Sequence, residues 1–240
     1  LVQNEGTHKI VAIDPRVLRA FLNIRRYEHG ARSIEAILKM SQLSGKTSFE
    51  RSSLPSETQL DLHVNGREFT ALVNQLELND SNIEIMAKAF HHNRCDYYRA
   101  QGYVLGPENS EEMKTQSSLM DYDKLPDNEK MQNRNIARYL FDRLGIVGYI
   151  IVTNRNDQPL VEFQQGEIEI LAEMEHLRWM NQKFEEGWKH EKTTNNALKL
   201  HADLLPWEQL TNASKENDRV VIRDIPKIVA SAGYNLFKLN

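Results

Sequence analysis

Ile83-Glu84-Ile85-Met86-Ala87-Lys88-Ala89-Phe90-His91 is echoed 85 residues later by Ile168-Glu169-Ile170-Leu171-Ala172-Glu173-Met174-Glu175-His176. The echo continues. Laid over Ile168 to Tyr234, the stretch from Ile83 to Tyr149 matches without a gap at 14 of 67 positions, among them Gly102/Gly187, Lys114/Lys199, Arg134/Arg219, Gly148/Gly233 and Tyr149/Tyr234. Aromatic positions carry conservative swaps, Tyr103 to Trp188 and Tyr122 to Trp207. A match of this length and register is an internal duplication, and each copy reads as one supersecondary unit with one hydrophobic plan. Two copies, rather than many, predict a closed pseudo-twofold pair and not a solenoid.

Each copy opens with a long helix, about 82 to 100 and 167 to 185, that ends at Gly102 or Gly187, residues suited to a left-handed C-terminal cap. A polar loop follows, then a Lys- and Leu-rich segment ending in an aromatic, and a second helix that closes at Gly148 or Gly233. In the first copy the exit, Tyr149 to Thr153, a turn at Asn154 to Gln158 and the run Leu160 to Phe163 predict a β-hairpin joining the copies. In the second, Pro226 predicts a kink or restart in the last helix. Upstream, Asp14-Pro15 is an N-cap and first-turn pair before Leu18, Phe21 and Leu22; further helices are read from Ser33 and around Phe69 to Leu76. The expected fold is mainly α with a little β. It comprises a helical N-terminal domain over 1–80, a first repeat over 81–150, a hairpin linker over 151–166 and a second repeat over 167–240.

Composition narrows the function classes. A net charge of −4 gives no general attraction to nucleic acid or to an anionic membrane, and no run of apolar residues is long enough to span a bilayer. The lone Cys95 excludes an internal disulfide framework and fits a reducing, cytoplasmic compartment. The chain opens at Leu1 without a methionine, which reads as a piece of a longer polypeptide, with an upstream domain as the expected partner. Enzyme signatures are scarce: no phosphate loop, nucleophile elbow or zinc motif occurs, and His91 and His92 have no partners at metal-ligand spacing. No catalytic residue, metal site or cofactor is therefore expected, and the oligomeric state is left open between monomer and homo-oligomer.

On the first helix of the second copy, 100° per residue places Ile170, Met174, Leu177 and Phe184 on one face, read as the apolar stripe, and His176, Trp179 and Lys183 on the other. The first copy has His91, Arg94 and Tyr98 at the matching positions. An aromatic ring beside a cation suits a planar anion, the ring stacking on a base and the cation meeting phosphate. The plainer reading, which the spacing alone favours, is that Trp179 packs against the other copy and Lys183 is a solvated cap. Lys114 and Lys199 recur at one offset, as partners of Glu84 and Glu169 or as ligand contacts, with His201 beside the second. Asn133-Arg134 and Asp218-Arg219 recur near the start of the second helix, as interhelix pairs or as part of the site.

Glu175-His176-Leu177-Arg178-Trp179-Met180, Gly187-Trp188, Lys199-Leu200-His201, Pro206-Trp207, Asp218-Arg219 and Gly233-Tyr234 closely resemble the RyR repeat, a module named for the ryanodine receptors and found also in bacterial and phage proteins. The first copy is a more divergent match, with Arg94 where the family usually has Trp and Tyr103 for the second tryptophan. The second departs at His201-Ala202, where the family has His-Pro, and at Gly187-Trp188-Lys189-His190-Glu191. The resemblance implies a compact, non-catalytic helical unit. Where such repeats pair, it implies adenine-nucleotide binding between them through the first-helix tryptophans, hence Trp179, with Arg94 as its counterpart. It also implies a prokaryotic sensor of nucleotide-derived signals in defence or stress systems, regulating an attached effector. The expected ligand-binding set is Trp179, Lys183, Trp188, Lys199, His201, Arg94, Tyr98, Tyr103, Lys114, Asn133, Asp218 and Arg219. The run Arg26 to Ser33 faintly resembles the Gly-Ala-Arg element in the lid of AAA+ ATPases, which would make residues 1–80 part of an ATPase whose catalytic portion lies elsewhere. The competing reading is a protein-interaction scaffold that binds no small molecule and uses the same aromatics for packing or docking.

Overall fold

The computed structural model describes the chain except residues 1, 6–7, 78, 111, 154–158, 196 and 240, and, for 2–11, describes the backbone alone. In chain order the elements are β1 (Val2–Glu5), β2 (His8–Val11), α1 (Pro15–Asn23), α2 (Ala31–Met40), α3 (Glu57–Leu60), α4 (Gly66–Val73), α5 (Asp80–Ala100), β3 (Val104–Leu105), β4 (Thr115–Gln116), α6 (Asp127–Ile146), β5 (Tyr149–Thr153), α7 (Gln165–Glu185), β6 (Lys189–His190), β7 (Leu200–His201), α8 (Asn212–Ser231) and β8 (Tyr234–Lys238). The fold is mainly α with a little β. Two compact units result: residues 1–77 with 150–153 and 237–240, and residues 78–149 with 154–236.

In the first unit β1 and β2 form an antiparallel ribbon. Asp14 accepts the Arg16 N–H at 2.9 Å, and Pro15 opens α1 as the sequence predicts. The core gathers Val17, Ala20, Ile37, Leu60, Phe69 and Leu72, with Ile150, Val152 and Phe237 from the strands β5 and β8. These two strands pair with each other, which corrects the expected hairpin over 151–166. Leu160 to Phe163 form no strand, and the turn expected at 154–158 lies outside the described residues. The physical reason is in the side chains. Tyr149 to Val152 are buried at four consecutive positions, a pattern that a two-stranded ribbon with one face in solvent cannot satisfy.

The second unit holds both copies, and each follows one order of helix, two short parallel strands, 3₁₀ turn and helix. The internal bonds recur at the same offset. Nε2 of His91 lies 2.7 Å from the Met120 carbonyl, and Nε2 of His176 lies 2.8 Å from the Leu205 carbonyl. Arg134 pairs with Glu84, and Arg219 with Glu169. Helix α5 packs on α6 and α7 on α8, while α5 also touches α8 and α6 touches α7. The copies exchange tyrosine bonds as well: the Tyr149 hydroxyl donates to Glu167, and that of Tyr234 to Asn82, each at 3.0 Å.

Two expectations are corrected in this unit. The stripe Ile170, Leu177 and Phe184 is not the core face; these residues are 47%, 50% and 47% exposed, while Ile168, Leu171, Ala172 and His176 are buried. Both faces of α7 carry apolar residues at helical spacing. The one with histidine goes inside because a backbone carbonyl meets its ring nitrogen, so its burial costs no unpaired group. The expected restart at Pro226 is absent as well: helix α8 runs through it, with Ile222, Ile225, Pro226, Ile228 and Val229 buried on its inner face.

Candidate functional site

Within the second unit, a cleft of about 450 Å³ opens between the α7 face of the second copy and the α5–α6 side of the first. Helix α7 contributes Arg178, Trp179, Gln182 and Lys183, spaced so that all four share one helical face. Opposite them stand Arg94 and Tyr98 from α5, Glu129 and Gln132 from the first turns of α6, and Ser117 and Ser118 from the loop after β4.

Trp179 is half-buried. Its ring centroid lies 5.6 Å from that of His176, tilted 34°, and 4.9 Å from that of His201, nearly edge-on at 73°. The two imidazoles fix the indole from behind, and the part left uncovered lines the cleft. Tyr98 is braced in the same way by Tyr103, with centroids 5.2 Å apart. Both rings are therefore held in place before any ligand arrives, which removes part of the ordering cost of binding.

The charges along α7 form a continuous network. Arg178 makes a two-pronged pair with Glu175 at 2.8 and 2.7 Å and donates to Gln182 at 2.9 Å. Gln182 donates to Glu186 at 2.9 Å, and Lys183 reaches the other Glu186 oxygen at 3.1 Å. Burial alone would push the Glu186 carboxyl up; the hydrogen bonds from Gln182 and Lys183 outweigh it and hold the group below its ordinary range. Lys183 also sits 4.6 Å above the Trp188 ring. Across the cleft, Arg94 has no carboxylate within ion-pair distance among the described residues.

Residues 156–238 match the RyR domain family. No curated protein matches the chain. Of the expected set, Trp179, Lys183, Trp188, Lys199, His201, Asp218 and Arg219 lie in the RyR domain, and Arg94, Tyr98, Tyr103, Lys114 and Asn133 precede it.

The structure brings Arg94, Tyr98, Trp179 and Lys183 to one cleft and gives the others different work. Tyr103 and His201 stand behind the lining rings, and Trp188 lies under Lys183. Lys114 and Lys199 are neither partners of Glu84 and Glu169 nor lining residues. Each folds back on the preceding helix, donating to the Gln101 carbonyl at 2.9 Å and to the Glu186 carbonyl at 2.8 Å. Each holds a left-handed backbone, φ 48° and 53°, that places the ammonium over the orphan carbonyls of a helix end. Asn133 is buried and bonds the Glu129 carbonyl, Asp218 faces His176 at 3.4 Å, and Arg219 joins α8 to Glu169 on α7.

Arg178, Gln182 and Glu129 line the cleft although none of them was in the expected set, Arg178 despite its place in the RyR-like run Glu175 to Met180. Arg178 and Gln182 flank Trp179 at −1 and +3 on one helix, so the helical wheel contained the signal. Glu129 comes from another helix, and only the tertiary fold brings it across.

Proposed function

We propose that this unit is a pair of RyR repeats related by a pseudo-twofold axis, and that the cleft between them captures a small nucleotide-like anion. The recurring internal bonds and the exchanged Tyr149–Glu167 and Tyr234–Asn82 contacts support the pairing. The observation that carries the binding reading is the cleft itself: pre-positioned Trp179 and Tyr98 beside an Arg94 guanidinium without a carboxylate partner among the described residues. Its volume of about 450 Å³ lies within the range of sites for small ligands. The base stacks on the exposed part of the indole, and the phosphate meets Arg94. The module is cytoplasmic and non-catalytic, and it passes binding energy to an attached effector or ATPase domain of the same polypeptide. A prokaryotic defence or stress role is part of the same proposal.

Calorimetric titration of the full chain with adenine nucleotides tests this. Trp179→Ala should weaken binding about tenfold or more, the worth of a base–aromatic stack, and Trp179→Phe should retain most of it. Unchanged binding in Trp179→Ala removes the platform. The scaffold reading draws on a different observation, the exposed apolar stripe Ile170, Leu177 and Phe184. Absence of any nucleotide binding would favour it.

A further inference from the structure

The cleft is less positive than its list of cations implies. Along α7 the network Glu175–Arg178–Gln182–Glu186–Lys183 contains two cations and two carboxylates, each bonded to its neighbour. Its Coulomb effect on a ligand is therefore that of a dipolar wall rather than of two free charges. The opposite wall carries Arg94 and Glu129, whose carboxylate has no cation partner among the described residues. The N-terminus of α6 would itself favour an anion, but its first turn already carries Asp127 and Glu129. The corresponding residues of the second copy, Asn212 and Ser214, are uncharged, so a helix start of this kind does not need the acids. Around these charges stand amide and hydroxyl groups of Gln116, Ser117, Asn128 and Gln132, which offer hydrogen bonds without net charge.

We infer that the cleft selects a nucleotide carrying a single phosphate, with Arg94 as the phosphate contact and Glu129 as the residue that rejects polyphosphates while accepting hydrogen bonds from sugar hydroxyls or a base amine. A second or third phosphate would bring further negative charge into a space where Arg94, the one cation without a carboxylate partner among the described residues, is already engaged. It would also stand near a carboxylate with no cation partner among the described residues. Like charges in such a setting repel by an amount worth about a factor of ten in affinity at a separation of about 6 Å and an intermediate dielectric. This inference rests on the reading of the cleft as a nucleotide site and adds the ligand's charge class to it.

The test is a calorimetric series of adenosine, AMP, ADP and ATP against the full wild-type chain and the Glu129→Gln variant. The wild type should bind AMP more tightly than adenosine, because the phosphate meets Arg94, and ATP no more tightly than AMP. Glu129→Gln should raise ATP affinity about tenfold relative to AMP. A wild type that prefers ATP over AMP by about tenfold overturns the charge selection while leaving the nucleotide site intact, and so does a Glu129→Gln variant with an unchanged AMP-to-ATP ratio. Should no member of the series bind, the nucleotide reading fails first and the selectivity falls with it. The wild-type series is decisive even if the variant folds poorly.

Discussion

Asp218→Asn should cost the second unit stability at acidic pH and almost none at alkaline pH. His176 is 3% exposed, its Nε2 against the Leu205 carbonyl and its Nδ1 3.4 Å from an Asp218 oxygen. Both ring nitrogens thus face acceptors, which is the environment of an imidazolium. Burial depresses the pKa of this ring, but the Asp218 carboxylate and the Leu205 carbonyl outweigh it and raise it above the ordinary 6.5. The folded chain therefore keeps a proton that the unfolded chain gives up. The resulting stabilisation is complete below 6.5 and is lost as the pH climbs through the folded-state value. The ion-pair contact is long for a charge-assisted hydrogen bond, so the lower end of the usual range applies: about 1.5 kcal/mol, or roughly tenfold in the folded-to-unfolded ratio. All three tryptophans, Trp179, Trp188 and Trp207, lie in the second unit, so urea unfolding followed by tryptophan fluorescence reports that unit alone. Wild type should lose stability from about pH 6 to about pH 9, and Asp218→Asn should lose much less over that range. The same deficit in the variant at both ends would refute a protonated His176.

The first copy makes the opposite prediction. Asn133 stands at the position matching Asp218, the buried Nδ1 of His91 has no hydrogen-bond partner among the described residues, and burial depresses this imidazole's pKa below 6.5. His91 therefore contributes stability that is full above 6.5 and lost as the pH falls through its folded-state value, so His91→Gln should flatten the acidic limb of the same unfolding curves. Lys199→Ala removes a helix-end contact outside the cleft. It should cost about 1 kcal/mol in the same unfolding assay and leave nucleotide affinity unchanged, whereas weakened binding would return this lysine to the site. Cys95 is 3% exposed and burial pushes its thiol up, so a thiol reagent should label it only after denaturation. Rapid labelling of the native chain would show that the α5 core opens.

Much of the fold was legible because repeated letters carry repeated physics. Glycines 102, 148, 187 and 233 sit where each helix must turn back, and all four have positive φ, so their positions marked the ends of α5, α6, α7 and α8. Glu84 and Glu169, like Arg134 and Arg219, recur at one offset in the sequence, but the partners expected for the glutamates were Lys114 and Lys199; the fold pairs them with the arginines instead. The choice of face on α7 was not legible. Ile170, Leu177 and Phe184 and the set Ile168, Leu171, Ala172 and His176 are both helical stripes, and burial of the one containing histidine depends on a carbonyl 29 residues away. The strand partner of Tyr149 to Thr153 was hidden for a similar reason: it is Tyr234 to Lys238, at the other end of the second copy, and no local turn signal marks so distant a pairing.

By itself, the sequence determined where the long helices stop and that residues 94 and 179, and 98 and 183, fall at matching offsets, because these are properties of local periodicity and of the internal sequence match. Only the tertiary structure decided which of those residues share a cleft, that Lys114 and Lys199 close helix ends, and that Glu129 lines Arg94's cleft while Glu175 and Glu186 neutralise Arg178 and Lys183. Charge at a site is a sum over every group that the fold brings near, and that sum does not exist until the helices have packed.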